Sequence, residues 1–263
     1  MVDPITIAYR LYVFVMGGVL GSFANVCIHR VPRGRSVVRP ASACPRCGRR
    51  IRAWENIPLF SFFFLRGRCA GCRRPISWRY PAVETLMAFL FLGVAVRTPP
   101  GPAAVLGTFF VFVLLVVSVI DLDWYIIPDV FSFGLLGVAV VLAPLNPALG
   151  TNALSRAADA LGGATLGFVS STLVSHAGRR FFRREALGRG DIKFLAGLGA
   201  FLGWRGVLSA WFLASLFGTG AFLWLRFRRK REWGDYLPFG PFLAAGGWVH
   251  WMWPELWVWW WRR

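Results

Sequence analysis

Acidic side chains are scarce in this chain: twelve Asp and Glu stand against thirty Lys and Arg in 263 residues, for a net charge of +18. Charge of either sign is thin. Charged residues make up 16% of the chain and hydrophobic ones 56%, where a soluble domain carries about a quarter charged residues. That excludes an ordinary soluble globule. Hydrophobic runs recur from end to end, the pattern of a polytopic membrane protein rather than of a globule with one anchor. The N-terminus, Met-Val-Asp-Pro-Ile-Thr, has no basic stretch ahead of its first apolar run. That run is expected to be a retained helix, not a cleaved signal. No glycine-rich strand–loop–helix of the cofactor-binding kind is found, and no repeat of inverted halves is visible.

Apolar runs place membrane spans near residues 12–28, 82–96, 103–120, 130–145, 160–177, 192–204, 207–225 and 239–251. With the N-terminus outside, the loops 28–81, 121–129, 178–193 and 226–238 face the cytoplasm and hold 24 of the 30 basic residues. The other side receives Arg10, Arg97, Arg156, Arg205, Arg262 and Arg263. This split follows the positive-inside rule. Cytoplasmic loops beside anionic lipid account for the positive charge, so nucleic acid is not expected as a partner. The run 192–204 is short for a crossing. Were it not one, the basic run 226–231 would lie outside, so it is kept as a span packed inside the bundle, with Gly197, Gly199 and Gly203 serving close helix contact. Seven of the fourteen tryptophans crowd the C-terminal segment and read as an interfacial belt on the outer side.

The expected organisation is a first helix over 1–28, a cytosolic insert over 29–81 and a membrane core over 82–263. The insert carries Cys44-Pro-Arg-Cys47 and Cys69-Ala-Gly-Cys72, with 21 residues between the pairs. Two such knuckles suit a closed four-thiolate zinc site, which has no open coordination position and is therefore structural rather than catalytic. A reducing compartment disfavours disulfides. A redox pair and unmetallated reactive thiols are the alternatives. Thirteen arginines and a single acid, Glu55, leave the insert little else to fold around. Cys27 lies within the first run and reads as a small buried residue.

Asp121 closes the run 103–120 and opens D-L-D-W-Y-I-I-P-D, while Asp191 ends G-R-G-D and opens another apolar run. A carboxylate beside hydrocarbon is costly unless it has a partner or a task. By span parity both emerge on the cytoplasmic face. Two carboxylates held close cannot both ionise easily, so one keeps a proton while the other acts as a base, the arrangement of an aspartic protease. Gly188 and Gly190 present no side chain and would let a substrate backbone approach. Capping or arginine pairing is the bland reading of both acids, and it suits Asp123, Asp129 and Asp235. A proton relay in a transporter is the rival from another class, as is a membrane scaffold built on the insert.

Several segments, in order, resemble the type IV prepilin leader peptidases, the bifunctional prepilin peptidase/N-methyltransferases of bacteria. They are G-S-F-A-N-V-C-I-H-R-V-P (21–32), A-C-P-R-C-G (43–48), W-E-N-I-P-L-F-S (54–61), R-Y-P-A-V-E (79–84), D-L-D-W-Y-I-I-P-D (121–129), G-R-G-D-I-K (188–193) and P-F-G-P-F-L (238–243). The resemblance implies an all-α intramembrane aspartyl protease of the G-x-G-D kind, whose catalytic pair falls on Asp121 and Asp191 and whose knuckles fall on Cys44, Cys47, Cys69 and Cys72. Gly188, Gly190, Lys193, Asp123 and Asp129 are then supporting or substrate-side residues. It implies a bacterial inner-membrane enzyme that removes the short basic leader of prepilins and pseudopilins at the cytosolic face. It also implies N-methylation of the new terminus from S-adenosylmethionine, in which Glu84 takes part.

Overall fold

The computed structural model describes residues 3–183, 187–228 and 236–257. Among the described residues every regular element is a helix: α1 (Pro4–Arg30), α2 (Phe60–Phe64), α3 (Arg79–Arg97), α4 (Pro102–Trp124), α5 (Asp129–Val141), α6 (Ala153–Phe182), α7 (Arg189–Phe227) and α8 (Gly240–Met252). Of these, α1, α3, α4, α6 and α7 are long and apolar enough to cross a membrane, while α5 and α8 have 13 residues each. The chain is an all-α membrane protein. A count of eight runs corresponds to these helices with α7 taken as two arms and α5 and α8 added to the long ones.

The chain forms two compact units, Met1–Val116 and Val117–Arg263. In the first, α1 packs on α3 through two glycines one helical turn apart. A Cβ on Gly17 would stand 2.7 Å from the Ala88 Cα, and one on Gly21 2.7 Å from the Glu84 Cα. Small residues let the two backbones meet, the device that replaces the hydrophobic effect where the surroundings are lipid. In the insert, the Arg49 guanidinium pairs with Glu55 Oε1 at 2.6 Å, and the Arg52 N–H donates to Glu55 Oε2 at 3.1 Å.

In the second unit the first arm of α7 is the core: residues Phe194 to Gly203 are all buried. It lies against α6 backbone to backbone, since a Cβ on Gly163 would fall 2.2 Å from the Gly199 oxygen and one on Gly167 2.4 Å from the Leu195 oxygen. Gly203 then leaves the helical region with φ 75 and ψ 177, a conformation that suits glycine because a Cβ is disfavoured there. The Asp159 carboxylate of α6 sits at the break and accepts the Trp204 N–H at 3.4 Å, in the manner of an N-cap for the second arm. The break reverses the chain. A straight helix would separate Gly190 from Gly218 by about 42 Å, yet both lie at the start of α8. Gly218 faces Phe239 and Phe242, and Gly190 meets Ile127, which in turn touches Gly240. The far end of α8 packs the other way, with His250 against Gly206 and Gly246 against the Ala210 oxygen.

Two outcomes follow for the first unit. Gly17→Ala overpacks the α1–α3 contact and is expected to cost about 1–3 kcal/mol, read as a lower thermal midpoint in detergent. The Arg52 N–H and the Arg49 guanidinium hold Glu55 below the usual carboxylate range. A carboxyl held low stabilises the fold above its unfolded value and loses that contribution as pH falls through the lower, folded value. Glu55→Gln should therefore lower the midpoint at neutral pH, and the difference from the parent should vanish at acid pH.

Candidate active site and metal centre

Asp121 lies in the last turn of α4, where the apolar run 103–120 ends, and is 3% exposed. Its Oδ2 accepts the Gly240 N–H at 2.8 Å. Asp191 is the third residue of α7 and is 4% exposed. Its Oδ2 accepts the Gly188 N–H at 3.1 Å, the reach-back geometry of a carboxylate at the third position of a helix, where the dipole also favours negative charge. The two carboxylates are close enough to interact electrostatically. Residues 70 apart in sequence are thus brought together at one end of the helices, each held by one backbone amide. Around them stand one buried spacer and two aromatic rings. Ile127 is buried between Gly190 and Gly240, and the rings of Tyr125 and Tyr236 lie 5.7 Å apart.

The supporting residues divide. A Cβ on Gly188 would stand 3.1 Å from Asp191 Oδ2 and 3.5 Å from the Tyr236 hydroxyl, so the absent side chain leaves room beside the carboxylate. Gly190 is different: a Cβ there would stand 3.0 Å from the Ile127 Cβ rather than in open space. Lys193 grips both oxygens of Asp129, at 2.7 and 2.8 Å, and stands 5.3 Å over the Phe133 ring. The pair ties the start of α5 to the first turn of α7, two residues past Asp191. Asp123 is exposed in the last turn of α4, and Asp235 lies outside the described residues. Glu84 belongs to the first unit, buried on α3, where it accepts the Leu59 N–H at 2.9 Å and bonds Ser22. Sequence reading quoted P-F-G-P-F-L without a role for Gly240 and passed over Ile127 and Tyr236. A backbone donor leaves no side-chain signal, so only the motif's position pointed to it.

The insert folds as two matching knuckles. Cys44 donates its N–H to the Arg49 oxygen and Cys69 to the Arg74 oxygen, both at 2.9 Å, and each pair closes with a left-handed residue, Gly48 or Arg73. The four sulfurs of Cys44, Cys47, Cys69 and Cys72 lie within 4.8 Å of one another, with Cys44 and Cys72 4.0 Å apart. A tetrahedron with metal–sulfur bonds of about 2.3 Å has corners about 3.8 Å apart, so the cluster fits one ion after slight contraction. The Cys72 and Gly71 amides bring the Cys69 thiol down to about 6, toward the thiolate that ligates metal, while against the Arg49 amide desolvation and the neighbouring thiols push Cys47 up to about 11. Cys27 is buried and unbridged.

Residues 15–98 match the bacterial peptidase A24 N-terminal domain, and residues 108–223 match the type IV leader peptidase family. A prepilin leader peptidase/N-methyltransferase of Aeromonas hydrophila is 35% identical over 94% of this chain and 91% of its own length. The chain belongs to the type IV leader peptidase family. Another relative of that name, from Pseudomonas putida, is 35% identical over 92% of this chain and 89% of its own. A third, from Myxococcus xanthus, is 43% identical over 80% of this chain, and the match spans 61% of that longer protein. No solved structure matches. Within the family matches, the four thiols and Glu84 fall in the first interval and both aspartates in the second, while α8 lies beyond either.

The purified chain is expected to carry one metal ion, measurable by elemental mass spectrometry. Cys44→Ser combined with Cys69→Ser should lose it, and an unchanged metal content would remove the centre.

Proposed function

We propose that this chain is a membrane aspartic endopeptidase that removes the basic leader of type IV prepilins or pseudopilins and then methylates the exposed N-terminus. The reading is carried by the aspartate pair: two buried carboxylates, each bound to one backbone amide, beside the apolar cores of α4 and α7. The pair shares one proton. The ionised member takes a proton from a water held between them, and the resulting hydroxide adds to the peptide carbonyl carbon. The protonated member donates to the carbonyl oxygen. When the tetrahedral intermediate collapses, the proton first taken from water passes to the leaving nitrogen, the C–N bond breaks, and one hydroxyl of the intermediate returns its proton to the member that gave one. The substrate is itself an apolar helix behind a cytosolic leader, so its scissile bond arrives at the depth where α4 ends and α7 begins.

Charge asymmetry supports reading this end as the cytosolic face of a bacterial inner membrane, with the N-terminus outside. Zinc is the ion assigned to the four thiolates, closing the insert without taking part in hydrolysis. S-adenosylmethionine supplies an electrophilic methyl group for the second activity. Glu84, a buried carboxylate in the first unit, is assigned to that activity, on the side of the accepting amine.

Co-expression with a prepilin and intact-mass measurement tests both steps. Leader loss is expected with the parent chain and none with Asp121→Asn or Asp191→Asn, each still inserted and folded. A further gain of one methyl on the mature product reports the second step. Cleavage that survives either substitution removes that aspartate from the mechanism; mature product without added methyl leaves a peptidase alone.

A further inference from the structure

The P-F-G-P-F-L segment has no part in the chemistry so far, although it delivers Gly240 to Asp121. We infer that Gly240 is a positioning residue for the peptidase reaction, its N–H holding the Asp121 carboxylate in register with Asp191 across the Ile127 spacer. The inference rests on the aspartate pair proposed above.

The donors at the start of α8 can be accounted for one by one. Pro241 has no N–H to give. The amides of Phe242 and Leu243 are taken by the Phe239 oxygen, at 3.0 and 3.1 Å. The Gly240 amide alone in this turn is directed elsewhere, and it reaches Asp121 Oδ2 at 2.8 Å across 119 residues of sequence. A hydrogen bond to an ionised acceptor is short and strong, so this amide fixes one oxygen and leaves the other for a reacting water.

Space makes the same point. A Cβ at position 240 would lie 2.8 Å from Asp121 Oδ2, 3.3 Å from the Asp121 Cβ and 3.2 Å from Ile127 Cδ1. Glycine is required there by the close approach, not by backbone strain. On its other side Ile127 faces Gly190, the residue that precedes Asp191, where an added Cβ would stand 3.0 Å from the Ile127 Cβ. The spacer thus sits between the glycine that holds one carboxylate and the glycine beside the other. Any side chain at 240 must displace either the carboxylate or the spacer, and both movements alter the gap in which water is bound.

The test uses the full chain in nanodiscs with a leader-bearing prepilin, measuring kcat and KM separately together with the thermal midpoint. Gly240→Ala is expected to lower kcat about a hundredfold while KM stays within about twofold, the penalty of misplacing a reacting group by about 1 Å. Ile127→Val, which removes the atom touching position 240, should lower kcat several-fold at unchanged KM. Gly246→Ala is the packing control. Gly246 is on the same helix as Gly240 and its Cβ would strike the Ala210 oxygen of α7, so the change should lower the midpoint more than it lowers kcat. A parent-like kcat in Gly240→Ala overturns the inference, as does a kcat loss that tracks the midpoint equally in both glycine variants. Should Gly240→Ala fail to fold, Ile127→Val decides, and an unchanged kcat there overturns the role. Cleavage by Asp121→Asn would sink the aspartate reading itself; an inactive Asp121→Asn beside a normal Gly240→Ala sinks the positioning role alone.

Discussion

Two carboxylates removed from water at the end of an apolar helix bundle are the constraint around which the second unit is arranged. Burying such a group without partners costs several kcal/mol, and a second charge nearby adds to the cost. Among the described residues the partners are backbone amides rather than side-chain cations. The Gly188 N–H serves Asp191 and the Gly240 N–H serves Asp121. An arginine in either place would neutralise the carboxylate and fill the space beside it. An amide stabilises the charge and takes almost no room.

That choice of donor dictates where helices begin. The starts of α7 and α8 must arrive at the same point as the end of α4, and the reversal at Gly203 makes this possible. It sends the second arm of α7 back alongside the first, so that α8 can start beside Gly218 and present its first turn to Asp121. The contacts that fix the first arm against α6 are backbone to backbone at Gly163, Gly167 and Gly199. Such contacts leave little freedom for sliding, since no side chain can change rotamer to absorb it. A site whose two halves come from different helices gains its precision from this rigidity.

The legible part of the site was the part written in side chains. Paired C-x-x-C spacing placed four sulfurs, and span parity placed Asp121 and Asp191 on one side although nothing in their local sequence joins them. The short apolar run 192–204 was read as packed inside the bundle, and residues 194–203 are indeed the buried core of the second unit. Glycines were harder. Gly190 looked like an opening for a substrate backbone, whereas its missing side chain is filled by Ile127. Gly17 and Gly21 form the α1–α3 contact, a role that nothing in their local sequence marks. A glycine's role depends on what stands opposite it, and that is set by tertiary structure alone. Gly240 is the extreme case, because what acts there is an amide that every residue but proline possesses.

The insert shows the opposite balance, with chemistry carried wholly by side chains and almost none by burial. Trp54, Phe60, Phe63, Phe64 and Trp78 are all exposed, and Phe62 is the one large apolar side chain buried among the described residues 31–78. Thirteen arginines against one glutamate add repulsion rather than cohesion. A segment with so little apolar core does not outweigh its own chain entropy. Its two knuckles have the same hydrogen-bond pattern and are turned so that four sulfurs face one point. A metal ion bound at that point would stand in for the missing core, supplying cohesion through four bonds to thiolates whose charge opposes that of the surrounding arginines.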